Sequence, residues 1–211
     1  VTIEKDIDML EKAGCDILFL PTVAEMYPAG ENTIRYELGF IETVLEGKYR
    51  PGHFQGVCRI VDKLLNAVKP STLYLGQKDY QQCMVINKMI TLKSHKTKLQ
   101  VCDTVREGDG LAMSSRNMRL SENERKHALH IIQSLKQIKA GLKPGDINYL
   151  KENATRQLEQ NGFKVDYIEI ADAVTLEPLD YWDGKKSLVA LAAAFLNDVR
   201  LIDNLVLTSP Q

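Results

Sequence analysis

The first hundred residues alternate amphipathic helical segments with short runs that are almost entirely apolar. The apolar runs are residues 15–20, 72–75 and 99–102, and the helical segments are residues 2–12, 57–68 and one ending near residue 92. A run that is apolar on both faces is typical of a strand in a parallel sheet covered by helices on both sides. The alternation therefore predicts an open parallel α/β sheet, in which ligands bind beyond the carboxyl ends of the strands.

The first helical segment leads directly into its strand, with Thr2 as the predicted N-cap and Gly14 as the predicted stop. This arrangement is the second half of a β-α-β unit, so we expect the chain to start within a domain. Further patterns predict a turn, a short strand and a short helix at residues 26–30, 33–38 and 41–45.

The second half of the chain has a different pattern. Ser121 to Glu124 is a capping box that opens a helix running to about residue 140, and Gly162 stops a second helix. Val165 and Tyr167 are predicted on one face of a strand. The remaining segments are a helix at 147–161, strands at 165–171 and 200–207, a small apolar stretch at 187–195, and a strand break at Asp203-Asn204. Helices followed by strands favour a separate α+β domain, so we predict domains at 1–104 and 105–211.

Composition excludes several classes of protein. A net charge of −1 over 211 residues gives no reason to expect a nucleic-acid or anionic-membrane partner. No apolar run approaches the roughly 20 residues that span a bilayer. The four cysteines are widely spaced in apolar segments and include no C-x-x-C pair. We expect reduced, buried thiols in a cytoplasmic protein, with neither a disulfide framework nor a zinc site.

The loop at residues 106–117 combines flexible backbone with groups that bind anions. Gly108 and Gly110 permit tight turns, and Ser114, Ser115 and Arg116 add hydroxyls, backbone N–H groups and a guanidinium. This combination suits a phosphate, because arginine donates a fork of hydrogen bonds to its oxygens. The alternative is an ordinary polar connection with a surface arginine.

A second candidate site follows the strand at residues 72–75. Lys78 stands where a helix N-terminus and a cationic side chain can meet one phosphate. The alternative is a solvated pair at the helix start, with Asp79 as the N-cap.

Three segments carry a family resemblance in their order and spacing. They are Arg50-Pro-Gly-His-Phe-Gln-Gly-Val57, Leu75-Gly-Gln-Lys-Asp-Tyr-Gln-Gln82 and Asp109-Gly-Leu-Ala-Met-Ser-Ser-Arg-Asn117. With the Arg200-Leu-Ile-Asp-Asn204 tail, they resemble the pantothenate synthetases, or pantoate–β-alanine ligases, over essentially the whole chain. The resemblance implies a Rossmann-like nucleotidyl-transferase domain of the HIGH superfamily, N-terminally truncated, with a smaller α+β domain over the site.

The resemblance also implies a two-step reaction of coenzyme A biosynthesis. Pantoate attacks the α-phosphate of ATP, with Mg²⁺, and the amine of β-alanine then attacks the pantoyl adenylate to give pantothenate and AMP. The family is typically homodimeric.

The family's site residues carry over by position. Lys78, Ser114, Ser115 and Arg116 are implied as catalytic and ATP-binding residues. Gly76, Asp79, Val105 and Met113 complete the implied ATP site, with Asp79 beside the ribose. For the substrates, Gln82 is implied to hold pantoate, Val57, Ile60 and Val61 form an apolar wall beside it, and Arg50 and His53 make contacts on the β-alanine or dimer side. Asp6 matches an acidic position near the metal.

One departure affects the expected activity. The family carries an H-x-G-H motif on its first strand–helix turn, and none of His53, His95, His127 and His130 forms that pair. We therefore expect a fragment that alone binds ATP weakly and turns over little. The alternatives are a folded non-catalytic domain, or a related nucleotidyl-transferase with another acceptor.

Overall fold

The computed structural model describes residues 3–30 and 34–208. The chain divides into two compact units, residues 1–35 and 36–211. The first unit contains α1 (Ile3–Lys12) and the short α2 (Val23–Met26). The helix predicted at residues 2–12 is thus confirmed from Ile3 onward, and its predicted cap, Thr2, lies outside the described residues.

The apolar run at residues 15–20 is not a strand, so that prediction is wrong. Its side chains are exposed, with Ile17 85% accessible. A buried strand needs hydrogen-bonded neighbours on its edges, and the described part of the chain supplies none to this run. The strand predicted at residues 33–38 begins outside the described residues, and residues 34–38 form no ladder.

The second unit opens with irregular structure and then becomes regular. A 3₁₀ turn (Gly39–Glu42) and α3 (Glu46–Tyr49) replace the predicted helix at 41–45. After them come α4 (His53–Val68), β1 (Thr72–Gly76), a 3₁₀ turn (Gln77–Asp79), α5 (Tyr80–Leu92) and β2 (Lys98–Cys102).

β1 and β2 pair in parallel, from Thr72 opposite Lys98 to Gly76 opposite Cys102. Leu73, Leu75 and Leu99 pack against a core that α4 and α5 supply. The predicted parallel pairing is confirmed for these strands. Consequently, the 77–79 turn and the chain that leads into the 106–117 loop leave the same edge of the sheet.

The C-terminal part has two helices and an antiparallel sheet. The helices are α6 (Glu122–Gly141) and α7 (Asn148–Gln160). Short β3 (Gly145–Asp146) pairs with β5 (Tyr181–Trp182), and β4 (Phe163–Asp172), β6 (Leu188–Leu196) and β7 (Val199–Val206) form a sheet in the order β4-β6-β7. The predicted break at Asp203-Asn204 is wrong, because both residues pair with β6 in an unbroken ladder.

The central strand β6 separates two apolar clusters. Leu188, Ala190 and Ala192 belong to one cluster, with residues of α6 and α7, which we call the α6–α7 cluster. Val189 and Leu191 belong to the other, with residues of α4 and α5, which we call the α4–α5 cluster. Successive side chains of a strand point to opposite faces, so one strand completes both cores. The domain boundary near residue 104 stays a prediction.

A β-bulge changes the predicted faces of β4. The register shifts between Val165 and Tyr167, so Asp166 is an extra residue in the ladder. Val165 and Ile168 therefore pack on the α6–α7 cluster, whereas Tyr167 packs on the α4–α5 cluster. The prediction that Val165 and Tyr167 share a face is wrong, because alternation carries no sign of an inserted residue.

The expected burial of the cysteines holds for two of the four. Cys58 and Cys83 are buried, whereas Cys15 and Cys102 are exposed. Cys102 is exposed because it ends β2, and Cys15 because the run that follows it is not a strand. Among the described helices, none is both long and apolar enough to cross a membrane.

Candidate active site

The 77–79 turn at the end of β1 carries Lys78, and β7 holds this turn in place. Asn204 Nδ2 donates to the carbonyl oxygens of Gln77 and Lys78, both at 2.9 Å. Gln77 Nε2 donates in return to Asn204 Oδ1 at 3.0 Å. The backbone on both sides of the Lys78 Cα is therefore fixed to a buried strand residue.

The side chains of Lys78 and Asp79 are available for binding. Lys78 is half-buried and forms no ion pair within residues 3–30 and 34–208. Asp79 precedes α5, but its carboxylate makes no capping hydrogen bond. The alternative prediction is confirmed only in position: Asp79 is the N-cap residue of α5, but its side chain does not cap the helix.

The 106–117 loop is a tight hairpin. Arg106 bridges to Ala112, and Glu107 N donates to Leu111 O at 2.8 Å. Gly110 has φ +96°, a backbone conformation that residues with a Cβ rarely adopt. The loop is thus more ordered than the polar connection that the sequence also allowed.

Charged side chains close the base of this hairpin. Asn117 Nδ2 donates to Glu107 Oε1 at 2.6 Å and to Ala112 O at 3.0 Å. Arg125 on α6 donates to the other Glu107 oxygen and, through Nε, to Asp109 at 3.0 Å. Hydrogen bonds from Arg125 and Asn117 hold the pKa of Glu107 below its ordinary value.

The hairpin presents Ser114 and Arg116 to Lys78. These three residues line one pocket between the loop, α6 and β7. Ser114 Oγ accepts from Arg116 N at 3.2 Å, while Ser115, the first residue of a 3₁₀ turn, is exposed. The structure therefore brings together three of the four predicted catalytic residues and leaves Ser115 at the rim.

A second pocket adjoins the first, and Lys78 lines both. Of the residues predicted for the site, it also contains Arg50, His53, Asp79 and Gln82. Burial, followed by the positive charge of Arg50, lowers the pKa of His53. The wall of this second pocket also includes residues that sequence reasoning did not assign to the site, namely Glu46, Gln81, Tyr167, Asp203 and Asn204.

Several predicted residues lie outside these pockets. Val57, Ile60 and Val61 are half-buried on α4 and line neither pocket, and Val57 and Val61 pack on the α4–α5 cluster. Val105 and Met113 are 67% and 54% exposed, and Met113 N donates to Val105 O at 3.0 Å.

Asp6 lies on α1 in the first unit, with an exposed side chain. No group of three His, Cys, Asp or Glu side chains that could hold a metal ion occurs among the described residues. The metal role of Asp6 therefore stays a prediction.

An ion-pair network supports the floor of the second pocket. Arg200 on β7 donates to both carboxylate oxygens of Glu46, at 2.8 and 2.9 Å, and to Asp166 at 2.7 Å. Tyr167 Oη donates to Glu46 at 3.0 Å. Burial alone would raise the pKa of Glu46, but the hydrogen bonds and charge of Arg200 outweigh it, so the pKa is lowered.

The sequence contained a signal for the residues that were missed. A charged residue and an amide stand side by side at Asp203-Asn204, and apolar residues flank the pair on both sides. Buried polar side chains of this kind are costly unless they are hydrogen-bonded, so they mark a contact with another part of the chain. Neither Glu46 nor Tyr167 has a comparable local pattern.

Comparisons with known proteins identify the family of the chain. The family model described as pantoate-beta-alanine ligase matches residues 1–206. Pantothenate synthetase of Bacteroides thetaiotaomicron is 39% identical over 205 residues, 97% of this chain and 72% of that protein. The enzyme of Laribacter hongkongensis is 43% identical over 205 residues, 96% of this chain and 73% of that protein.

Solved structures give the same result. Pantothenate synthetase from Thermus thermophilus superposes with a TM-score of 0.89 at 37% identity, covering 99% of this chain and 76% of that one. Pantoate–β-alanine ligase from Francisella tularensis, complexed with "Beta-gamma ATP" and β-alanine, has a TM-score of 0.76 at 34% identity, covering 100% and 72%. The predicted Rossmann-like nucleotidyl-transferase fold is confirmed. The chain belongs to the pantoate–β-alanine ligase family.

Proposed function

We propose that this chain binds ATP at Lys78, Ser114, Ser115 and Arg116 and uses it to activate pantoate for ligation to β-alanine. Members of the family join pantoate to β-alanine. The observation that carries the residue assignment is the meeting of Lys78, Ser114 and Arg116 around one pocket. The ATP and β-alanine of the Francisella tularensis complex support the choice of substrates.

The first step transfers an adenylyl group. A pantoate carboxylate oxygen forms a bond to the α-phosphorus, the bond to the bridging oxygen breaks, and pyrophosphate leaves. Negative charge builds on the phosphate oxygens in this step, and fixed donors stabilise it. Lys78 and Arg116 supply positive charge, and the Ser114 and Ser115 hydroxyls and N–H groups supply directed hydrogen bonds. Positioning and electrostatics suffice, without a covalent enzyme nucleophile.

The second step forms the amide. The amine nitrogen of β-alanine bonds to the pantoyl carbonyl carbon, the carbon–oxygen bond to AMP breaks, and the nitrogen gives up a proton. We assign the second pocket to pantoate and β-alanine, with Gln82 on pantoate and Arg50 on a carboxylate. His53, with its lowered pKa, is mostly neutral at pH 7, so it accepts or donates a hydrogen bond without adding charge. Val57, Ile60 and Val61 line neither pocket, so their place beside pantoate rests on the family resemblance alone.

The nucleoside part of ATP lies at the outer side of Lys78 in this proposal. Val105 and Met113 offer exposed apolar surface beside the loop. Gly76 has no side chain, and the space that a Cβ would occupy is open, so ATP can approach the backbone there. Asp79 accepts hydrogen bonds from the ribose hydroxyls in this arrangement, because its carboxylate makes no capping hydrogen bond to α5.

We propose that ATP is used as its Mg²⁺ complex. Mg²⁺ at nucleotide sites is commonly held by phosphate oxygens, water and one or two carboxylates. In the second pocket Glu46 is paired with Arg200, Asp203 is paired with Arg106 and Asp79 is assigned to the ribose, so phosphate oxygens and water would hold the ion. This donor set fits an ion that enters with the phosphates, and the bound ion would add positive charge to them. We also propose a homodimer in the cytoplasm, on the basis of the family resemblance, and light scattering tests the dimer.

Pantoate-dependent exchange of labelled pyrophosphate into ATP tests the proposed function. We expect exchange with ATP, Mg²⁺ and pantoate, at the low rate expected for a chain that lacks the H-x-G-H pair, and none when pantoate is omitted. Exchange that proceeds equally with another acid would favour a nucleotidyl-transferase with a different acceptor. Isothermal titration with ATP·Mg²⁺ is the matched binding measurement, and a folded protein that neither binds ATP nor catalyses exchange would contradict the proposal.

A further inference from the structure

Two adjacent polar residues stand in the middle of β7. Asp203 and Asn204 are 6% and 2% exposed, and they lie opposite Ala192 and Leu191 of β6. Neighbouring residues of a strand point to opposite faces of the sheet. One side chain is therefore directed to each side of the sheet.

Asn204 is saturated by the turn that carries Lys78. Both hydrogens of its Nδ2 group go to backbone oxygens, those of Gln77 and Lys78, and its Oδ1 accepts from Gln77. A side chain of any other type would leave at least one of these buried groups without its partner.

Asp203 is saturated by the 106–117 loop. Arg106 donates from its two terminal nitrogens to the two carboxylate oxygens, at 2.8 and 3.0 Å. The same guanidinium donates to Gly110 O at 3.1 Å, which ties the pair to the tip of the loop. Asp203 Oδ1 also accepts from Asn204 N at 2.8 Å. The two anchors are thus joined to each other.

We propose that Asp203 and Asn204 are positioning residues that hold the two ATP-binding segments at a fixed separation across one strand. The inference rests on the proposed function, since it gives Lys78 and Ser114–Arg116 the same triphosphate to bind. The strand acts by setting where Lys78 and the loop lie, and misplacement by about 1 Å can cost about 10²-fold in rate. Sites fixed to strands are held more tightly than sites on loops alone.

Hydrogen–deuterium exchange measures this role without requiring activity. The variants are Asn204→Asp, which loses both donated bonds, and Asp203→Asn, which loses the charge that pairs with Arg106. The control is Asp62→Asn, because Asp62 is also buried and bonded to Tyr36 and His95 but lies outside both pockets. Asn204→Ser is a milder substitute should Asn204→Asp not fold.

The inference predicts local and separate effects. Asn204→Asp should speed exchange at residues 76–80 and leave residues 106–117 unchanged, and Asp203→Asn should do the reverse. Asp62→Asn should change neither segment. A uniform rise in exchange across the sheet, or equal effects of the two variants on both segments, would overturn the inference in favour of a purely structural role.

A double-mutant cycle links the positioning to catalysis. In pantoate-dependent pyrophosphate exchange, Asn204→Asp should lower kcat by about 10-fold or more, since a displaced cation loses most of its contact with the developing charge. Combined with Lys78→Ala, it should add less than about 2-fold, because residues that act through one contact are non-additive. Fully additive losses would refute the role. If Lys78→Ala alone retained normal activity, the proposed function would fail, and hydrogen exchange would still decide the positioning claim.

Discussion

Lys78 is held by its backbone and free at its side chain. Its carbonyl oxygen accepts from Asn204 at 2.9 Å, while its side chain lines both pockets. The proposed role in adenylyl transfer requires a cation that is not already paired, and Lys78 meets that requirement in the part of the chain that the structure describes.

We expect Lys78→Ala to lower the rate of pantoate-dependent pyrophosphate exchange by at least ~10²-fold, as single-donor deletions do at comparable sites. Lys136→Ala is the matched control, because Lys136 is exposed on α6 and lines neither pocket. Equal activity of the two variants would show that Lys78 has no part in adenylyl transfer.

Glu46 gives a prediction about pH. Its pKa is lowered below the ordinary 4.5 in the folded protein, so the folded state favours the charged form. The stability it contributes is complete above the unfolded-state pKa and is lost as pH falls through the lower folded-state value. As the pH falls from neutral through the ordinary carboxylate range, wild type should therefore lose more thermal stability than Glu46→Gln. Parallel curves of melting temperature against pH would contradict this.

At the scale of elements, the helix start of α6 is the best-specified feature. Ser121 Oγ accepts from Glu124 N at 3.3 Å, and Glu124 accepts from Ser121 N at 2.8 Å. Asn197, in the turn between β6 and β7, also donates to Glu124. The cap thus fixes the helix and connects it to the sheet that it covers.

Ser121→Ala should reduce the free energy of unfolding by about 1 kcal/mol, the usual cost of losing an N-cap. Ser121→Thr keeps a hydroxyl and should cost less. Urea unfolding measures both, and an Ala variant as stable as the Thr variant would show that the cap contributes nothing.

Elements with local signals were predictable from the sequence, and those that depend on distant partners were not. The capping box at Ser121 and the apolar runs of β1 and β2 are recognisable from a few consecutive residues. The bulge at Asp166 depends on pairing with β6, and residues 15–20 have a strand-like composition without a strand's partners. Within the site, Lys78 and Ser114 stood in recognisable motifs, whereas the carboxylate of Glu46 meets its partners Tyr167 and Arg200 from 121 and 154 residues away.

At the scale of the whole second unit, β6 joins two cores. Leu191 packs in the α4–α5 cluster, while Trp182 packs against the α6–α7 cluster. Because β6 contributes side chains to both clusters, unfolding of one cluster would displace this strand and expose the other cluster. We infer that residues 36–208 unfold together.

Leu191→Ala tests this cooperativity. Removing a buried leucine side chain typically costs about 2–5 kcal/mol. Trp182 is the protein's single tryptophan and reports on the opposite cluster. We expect its fluorescence transition in urea to shift to lower concentration together with the circular dichroism transition. A Trp182 transition that stays at its wild-type midpoint would mean that the clusters unfold separately.

The adjacency of Asp203 and Asn204 also constrains how such a protein can change. Inserting or deleting one residue in β7 ahead of them would exchange their faces, since strand side chains alternate with a period of two. The carboxylate would then meet backbone carbonyls, and the amide would meet a guanidinium. A two-residue change would restore the faces but would move both side chains about 7 Å along the strand. The length of β7 ahead of Asp203 is therefore fixed, whereas the loops around the pockets are not bound by this register.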